Sequence, residues 1–312
     1  MQKIIFIFTI ILLYSCNSCT IPQKNDEKSV QNRPKSFKMP EIPISFTSRE
    51  QISTYLADHY WDNFDFTDTT YINRPNVKQA FNDYIFIVNS IPLSKGISSI
   101  NKTLSKAEAN QAMLAHFSVL FEKSLDEPNS PTRNEDLHIS VLNYIIESDN
   151  VQDIDKIRPK ELLKIALKNR PDSIASDFAI TLESGKTVML HDIKADYTLM
   201  YMYVPDCRVC AELVSGLKIS GILSPLIKSG KLKIVAVYPD TDLEAWRNHL
   251  DEIPKEWING YDTKHVINED KLYDIKATPT IYLLDKNKRV LIKDAASIQP
   301  VEIYIMSVNY GL

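Results

Sequence analysis

The chain has 312 residues, with 36 Lys and Arg against 40 Asp and Glu and a formal charge of −4. This length favours two domains, and ordinary shares of hydrophobic residues (44%) and charged residues (24%) exclude a wholly disordered chain. The mild acidity removes the electrostatic basis for a dedicated nucleic-acid binder, so no nucleic-acid partner is expected. Four cysteines, at positions 16, 19, 207 and 210, are too few for a fold held together by disulfides.

Residues 1–15 are predicted to be a signal peptide. Lys3 is followed by an apolar run over 4–13, which is shorter than the ~20 residues of a membrane-spanning helix and suits the core of a signal peptide. The residues that follow, Leu13-Tyr14-Ser15-Cys16, resemble a bacterial lipobox. That resemblance implies that Cys16 is lipidated and becomes the N-terminus. A plain secretory signal cleaved at another site is the alternative.

Residues 16–44 are polar and contain four prolines, a composition typical of a flexible tether. Cys19 is interpreted as a tether thiol without a function, with a second-choice lipidation site as the alternative. The chain is therefore expected in the cell envelope, lipid-anchored to a membrane and facing the periplasm, or else at the cell surface. Disulfide chemistry is possible in that compartment.

Residues 45–150 are predicted to form an all-α domain. Only one of the seven glycines, Gly96, lies before residue 170, and apolar residues recur at helical spacing after Ser48, a candidate N-cap. Four stripes carry this pattern: Ile52, Tyr55, Leu56, His59 and Trp61; Val77, Phe81, Tyr84, Ile85 and Val88; Ala109, Ala112, Met113, Phe117, Leu120 and Phe121; and Leu137, Val141, Tyr144 and Ile145. The aromatic and acidic segment 57–66 is interpreted as core, with a binding groove as the alternative.

A linker at 151–172, with a helix from Pro159 to about Lys168, leads into residues 173–312, where strands and helices alternate. The predicted strands are 177–183, 187–190, 197–204, 231–238, 280–284 and 289–293, and the predicted helices are 207–228, 243–253 and 300–308. This order predicts an α/β domain with a mixed sheet flanked by helices.

Cys207 and Cys210 form a Cys-x-x-Cys pair at the junction of a predicted strand and helix. Only a thiolate attacks a disulfide, and the unpaired N–H groups of a helix N-terminus stabilise that charge. The second cysteine lies one turn further on, close enough to attack a mixed disulfide and release the product. The pair therefore predicts thiol–disulfide exchange.

Three alternatives for this pair remain open. A purely structural disulfide would close a minimal loop, where the stabilisation is least. A closed zinc site needs four ligands, and the sequence offers no second cysteine pair, while His191, His249 and His265 are single and scattered. Copper held by two thiolates and one distant histidine is the third. No metal and no organic cofactor are expected.

The segment Leu272–Thr280, with Thr278-Pro279 before the apolar run 281–284, strongly resembles the cis-proline loop and following strand of the thioredoxin superfamily. A Pro that merely starts a strand is the alternative. Together with the Cys pair, the last ~140 residues resemble a TlpA/ResA-type thioredoxin-like domain. Residues 45–150 resemble a helical domain of unknown function that precedes such domains in bacterial envelope lipoproteins.

This resemblance implies that Cys207 is the attacking thiol, that Cys210 resolves the mixed disulfide, and that Thr278 and Pro279 pair with substrate beside them. The chain departs from the family in two places. Asp206 replaces the usual Trp and would oppose thiolate formation, whereas Arg208 would favour it. Tyr201 stands where thioredoxin has a buried acid, so Tyr or water would have to carry the proton. A peroxidase is disfavoured because the window 202–207 has no Thr.

The sequence therefore predicts an extracytoplasmic thiol–disulfide oxidoreductase that acts on protein thiols and disulfides, with the reductant direction favoured by family analogy. An unidentified membrane electron donor would recycle the pair, and the helical domain would have an unidentified partner. An envelope binding or assembly protein on a thioredoxin-like scaffold, or a copper-transfer protein, is the alternative.

Overall fold

The computed structural model describes residues 38–310. The predicted signal peptide, Cys16, Cys19 and most of the predicted tether lie outside these residues. The last part of the predicted tether is described and hydrogen-bonds to the helical half: Asn63 Nδ2 donates to the carbonyl of Lys38, and the Tyr55 hydroxyl donates to that of Glu41. In the described range, no helix is long and apolar enough to cross a membrane.

The described part of the first half, from residue 38 on, has six α-helices: α1 (Arg49–His59), α2 (Pro75–Asn89), α3 (Leu93–Ala107), α4 (Gln111–Leu125), α5 (Glu135–Glu147) and α6 (Ile157–Ala166). Ser48 caps α1 as predicted, in a reciprocal capping box with Gln51. Within the predicted stripes, Val77, Phe81 and Phe117 are wholly buried and belong to one core. The aromatic segment joins that core rather than lining a groove, because Tyr60, Trp61, Phe64 and Phe66 are buried.

Helix α3 is not among the predicted helices. Its buried face combines Ile100 and Leu104 with the small or hydroxyl-bearing residues Gly96, Ser99, Thr103 and Ala107. The hydroxyl of Ser99 donates to the carbonyl of Ala57 at 2.6 Å, and the hydroxyl of Tyr84 lies 2.7 Å from Ser99 and 3.0 Å from Thr103. These hydrogen bonds satisfy polar groups that would otherwise be costly to bury.

Seven strands form one mixed sheet: β1 (Ala179–Leu182), β2 (Thr187–Met189), β3 (Tyr197–Met202), β4 (Leu232–Tyr238), β5 (Ile258–Tyr261), β6 (Thr280–Asp285) and β7 (Val290–Ala295). Their order is β2-β1-β5-β4-β3-β6-β7. Strand β3 runs parallel to β4 and antiparallel to β6, and β5 is parallel to β4 and antiparallel to β1. The predicted mixed sheet is confirmed, with β5 as a strand that was not predicted.

Four helices accompany the sheet, α7 (Arg208–Ile219), α8 (Leu223–Lys228), α9 (Leu243–Asn248) and α10 (Gln299–Tyr310), and their buried residues pack in one core against one of its faces. Alternate residues of β3 point to opposite faces, as strand geometry requires. Leu199 and Tyr201 pack with α7 and α10, whereas Met200 and Met202 pack with β1 and the segment before it. The predicted helix 243–253 is α9 followed by a separate 3₁₀ turn, Leu250–Glu252.

Candidate active site

Cys207 and Cys210 lie where β3 leads into α7, and they form a disulfide with 5.1 Å between their Cα atoms. Cys207 is the N-cap of α7, and its Sγ accepts a hydrogen bond of 3.2 Å from the backbone N–H of Cys210. A cap side chain normally satisfies such an N–H with oxygen. In the reduced protein the same donor would face a Cys207 thiolate and stabilise its charge.

The two sulfurs differ in exposure. Cys207 is half-buried, whereas Cys210 is 3% exposed and packs in the core beneath α7. A pocket of about 380 Å³ lies against Cys207 and is also lined by Arg208, Ala211 and Glu252. A substrate disulfide can therefore approach Cys207 but not Cys210.

The peptide bond between Thr278 and Pro279 is cis, as the family resemblance implied. Thr280, the first residue of β6, pairs with Met202, the last residue of β3. This register places the cis bond at the end of the sheet where β3 leads to Cys207. Thr278 is half-buried and Pro279 is buried.

Lys276, two residues before Thr278, ties this loop to the helical half. Its Nζ lies 2.8 Å from an oxygen of Asp126, at the end of α4, and 2.7 Å from one of Asp274. Burial lowers the pKa of Lys276, but the two carboxylates outweigh that effect and raise it above its ordinary value. This contact was not predicted, although Lys276 lies inside the segment that resembles a cis-proline loop.

A second ion pair joins the helical half to the sheet, since Arg133, just before α5, is paired with Asp294 of β7. Lys293 Nζ lies 2.7 Å from Glu135 Oε1. These groups are mostly buried, so the charges face one another rather than water. The helical half is therefore held to the sheet at the elements that flank the cis-proline loop.

His249 and Glu252 are functional candidates that the sequence analysis did not identify. His249 Nε2 lies 3.2 Å from the carboxylate of Asp206, and the Asp206 N–H donates to Glu252 at 3.3 Å. Hydrogen bonding to the Ala245 carbonyl, and then the charge of Asp206, raise the pKa of His249. Although His249 is isolated in the sequence, packing of α9 places it beside the residue that precedes Cys207.

Asp206 and Arg208, the predicted tuning residues, are both largely exposed. Asp206 has a φ of +56°. Its carboxylate lies beside the ring of His249. Arg208 lies 3.6 Å from Glu212 one turn along α7. Opposite partners and water weaken both charges at Cys207, so their expected effects on its thiol are small.

Tyr201 is wholly buried, and its hydroxyl donates to the backbone carbonyl of Cys210 at 3.4 Å. Burial raises its pKa, so the phenol stays protonated at neutral pH. The ring stacks on Tyr203 with 5.3 Å between centroids. Tyr203 accepts from Trp246 Nε1 at 3.1 Å and donates to Asn259 at 2.9 Å, and burial raises its pKa to about 12. The Tyr201 hydroxyl thus hydrogen-bonds to a carbonyl oxygen and not to a sulfur.

Two sets of described residues bring potential metal ligands within 4.8 Å of one another: Asp206, His249 and Glu252, and Glu135, Asp274 and Asp294. The second set already faces Arg133, Lys276 and Lys293, so ion pairs account for it. The first set is mostly open to water on the Asp206 side. Within the described residues, neither set includes Cys207 or Cys210.

Comparison with known proteins gives two family matches. Residues 15–169 match a domain of unknown function (DUF5106), and residues 195–290 match a thioredoxin-like family. A search of the curated proteins gave no match.

Solved structures extend these matches. A thioredoxin-like protein from Bacteroides caccae is 45% identical and superposes with a TM-score of 0.82, covering 87% of this chain and 98% of its own. The C-terminal domain of an uncharacterized protein from Bacteroides fragilis is 45% identical over 44% of this chain and 97% of its own, with a TM-score of 0.43. The first similarity spans both halves. The chain therefore belongs to the thioredoxin-like proteins and joins its thioredoxin-like domain to an N-terminal domain of unknown function.

Proposed function

We propose that this protein is a thiol–disulfide oxidoreductase of the cell envelope that acts on protein disulfides through Cys207 and Cys210. The observation that supports this best is the unequal exposure of the bonded pair, with Cys207 reachable at the start of α7 and Cys210 buried one turn later. A structural disulfide would need no such asymmetry. The cis bond at Pro279, on the same end of the sheet, supports the same reading.

The proposed exchange has two steps. In the reduced protein, the Cys207 thiolate attacks one sulfur of a substrate disulfide, forms a mixed disulfide and expels the other substrate sulfur as a thiolate. The Cys210 thiolate then attacks Cys207 Sγ and releases the second substrate sulfur. Two electrons pass to the substrate, the Cys207–Cys210 bond forms, and an electron donor at the membrane returns the pair to the dithiol. The sulfurs carry the electrons, so the step needs no organic cofactor.

The location is part of the proposal. A lipid on Cys16 would hold the protein on a membrane and face it toward the periplasm or the cell surface, where oxidised protein substrates occur. The support is the lipobox-like sequence Leu13–Cys16. Labelling with radioactive palmitate tests it: the chain should incorporate label, and the Cys16→Ser variant should not.

A trapping experiment tests the chemistry. Without Cys210 the mixed disulfide cannot be resolved, so the Cys210→Ala variant should accumulate disulfide-linked envelope proteins on non-reducing gels. The Cys207→Ala variant should accumulate none, because its remaining thiol is buried. Equal trapping by both variants, or by neither, would contradict the assignment. Absence of insulin reduction by the intact protein would favour a binding protein on a thioredoxin-like scaffold.

A further inference from the structure

The segment between β5 and β6, which carries the cis-proline bond, contains neither helix nor strand over residues 262–279. Backbone groups of such a segment must find partners outside helices and strands, so contacts with neighbouring elements set its conformation. Its first part is held by its own turns, since the buried carboxylate of Asp262 accepts from the N–H of Ile267 at 2.8 Å. Its second part, residues 270–276, is held from the helical half.

The end of the helical half contacts this second part directly. Lys168, just past α6, donates from Nζ to the carbonyl oxygens of Asp270 at 2.7 Å and Lys271 at 2.9 Å. The next residue, Asn169, is 5% exposed and donates from Nδ2 to the carbonyl of Leu272 at 2.7 Å. Consecutive carbonyl groups of the segment are therefore held by side chains at the very end of the domain of unknown function, whose match ends at residue 169.

Lys276 supplies a second anchor, two residues before Thr278. Its Nζ lies 2.8 Å from Asp126 at the end of α4, 2.7 Å from Asp274 and 3.7 Å from Asp294. Of these carboxylates, only that of Asp126 belongs to the helical half. Loss of its charge would leave Lys276 paired within the thioredoxin-like domain, and would release the tie between this loop and α4.

The thioredoxin-like domain also holds the segment. The hydroxyl of Tyr273 donates to the carbonyl of Ser176, and the hydroxyl of Thr280 donates to the carbonyl of Ala277. Because these contacts remain when a tie to the helical half is lost, we expect such a loss to shift the loop and not to unfold it.

We propose that the helical half positions the cis-proline loop for a protein substrate, with Asp126 and Lys168 as positioning residues. This inference rests on the proposed function, and on Thr278 and Pro279 pairing with substrate as the family resemblance implies. The exchange itself takes place at the sulfurs of α7, so the helical half governs the affinity for a protein disulfide. A small disulfide without a peptide backbone needs only access to Cys207.

Insulin reduction by the full chain, with dithiothreitol as the electron donor, tests the proposal through KM and kcat. Asp126→Asn and Lys168→Met should each raise the KM for insulin about three- to tenfold and change kcat by less than about twofold. Lys164→Met is the matched control: this side chain lies four residues earlier, is 67% exposed and faces Glu161 at 3.9 Å, so both constants should stay unchanged.

A second substrate separates loop position from a general loss of activity. Oxidation of the pre-reduced chain by hydroxyethyl disulfide should keep its rate within about twofold in both variants, because this reagent cannot pair with a backbone. Lys168→Met decides alone if Asp126→Asn fails to fold. An unchanged KM for insulin, or an equal loss with both disulfides, would overturn the proposal. No reaction of the unmodified chain with either disulfide would instead reject the proposed function, and this inference with it.

Discussion

Tyr201, on β3, and Tyr203, just past the end of that strand, are stacked on each other, yet their hydroxyls have different surroundings. Tyr201 makes one long hydrogen bond to a carbonyl, whereas Tyr203 accepts from Trp246 and donates to Asn259. Loss of the Tyr203 hydroxyl leaves both of its partners unpaired, and one of them, Trp246, is only 1% exposed. Replacing Tyr with Phe therefore lowers the free energy of unfolding more at position 203 than at position 201.

Tyr203→Phe should lower the free energy of unfolding by about 2 kcal/mol, and Tyr201→Phe by less than about 1 kcal/mol. Urea unfolding of the two variants measures the difference. Insulin reduction by Tyr201→Phe should match that of the unmodified protein, because its hydroxyl donates to the carbonyl oxygen of Cys210. A large loss of reduction by Tyr201→Phe at unchanged stability would restore the predicted proton-carrying role of this residue.

At this scale the sequence predicts the parts of the site that are close together along the chain. The Cys pair at a helix start and the Thr278-Pro279 loop each carry their chemistry in a few consecutive residues. His249 and Lys276 were missed as partners because the groups they contact, Asp206 and Asp126, lie 43 and 150 residues away in sequence. Only the packed fold brings such groups into contact.

The elements of secondary structure show a similar division. Helices α2, α4 and α5 were predicted because large apolar residues mark their buried faces, and α1 because apolar residues recur at helical spacing after its N-cap Ser48. Helix α3 was not predicted, since Gly96, Ser99 and Thr103 share its buried face with Ile100 and Leu104 and lower its apolar content. Strand β5 has four residues and includes Gly260, which lowers strand propensity. Its place in the sheet is set by β4 and β1 rather than by its own sequence.

Gly260 is required by the close approach of β5 to β1. A Cβ at this position would lie 2.6 Å from the carbonyl oxygen of Thr181 and 2.7 Å from Ile180 Cγ2. Gly260→Ala should therefore lower the free energy of unfolding by about 1–3 kcal/mol through overpacking. Gly221 is the control, because its Cβ would meet nothing within 4 Å, and Gly221→Ala should change stability by less than about 0.5 kcal/mol.

Chemical unfolding of both glycine variants distinguishes the explanations. If the two substitutions cost the same, the loss would reflect the general effect of removing glycine, and the contact between β5 and β1 would not be tight. If only Gly260→Ala is destabilised, the close approach of β5 to β1 is the reason that this position requires glycine.

In the whole molecule, the helical half is bound to the thioredoxin-like domain through charges at its sheet-facing end. Asp126 is central to that arrangement, since it faces His138 in its own half and Lys276 in the cis-proline loop. Burial alone would raise the pKa of Asp126, but His138 and Lys276 outweigh it and hold the pKa well below its ordinary value. The carboxylate therefore favours the folded state only while it is ionised.

Asp126→Asn should lower the free energy of unfolding at pH 7 by about 3 kcal/mol, because it leaves Lys276 with one fewer partner in a buried site. The exposed pair of Glu161 and Lys164, 3.9 Å apart on α6, supplies the control. Glu161→Gln should cost less than about 0.5 kcal/mol. Urea unfolding at neutral pH measures both values.

The pH dependence gives the sharper test of this ion pair. A carboxyl group whose folded pKa is lowered contributes its full stability above the unfolded value of about 3.9, and loses it as the pH falls through the folded value. The difference between the unmodified chain and Asp126→Asn should therefore be largest near neutral pH and shrink steadily below about pH 4. A difference that is the same at pH 7 and pH 2.5 would mean that Asp126 acts through packing, and that charge does not hold the cis-proline loop to the helical half.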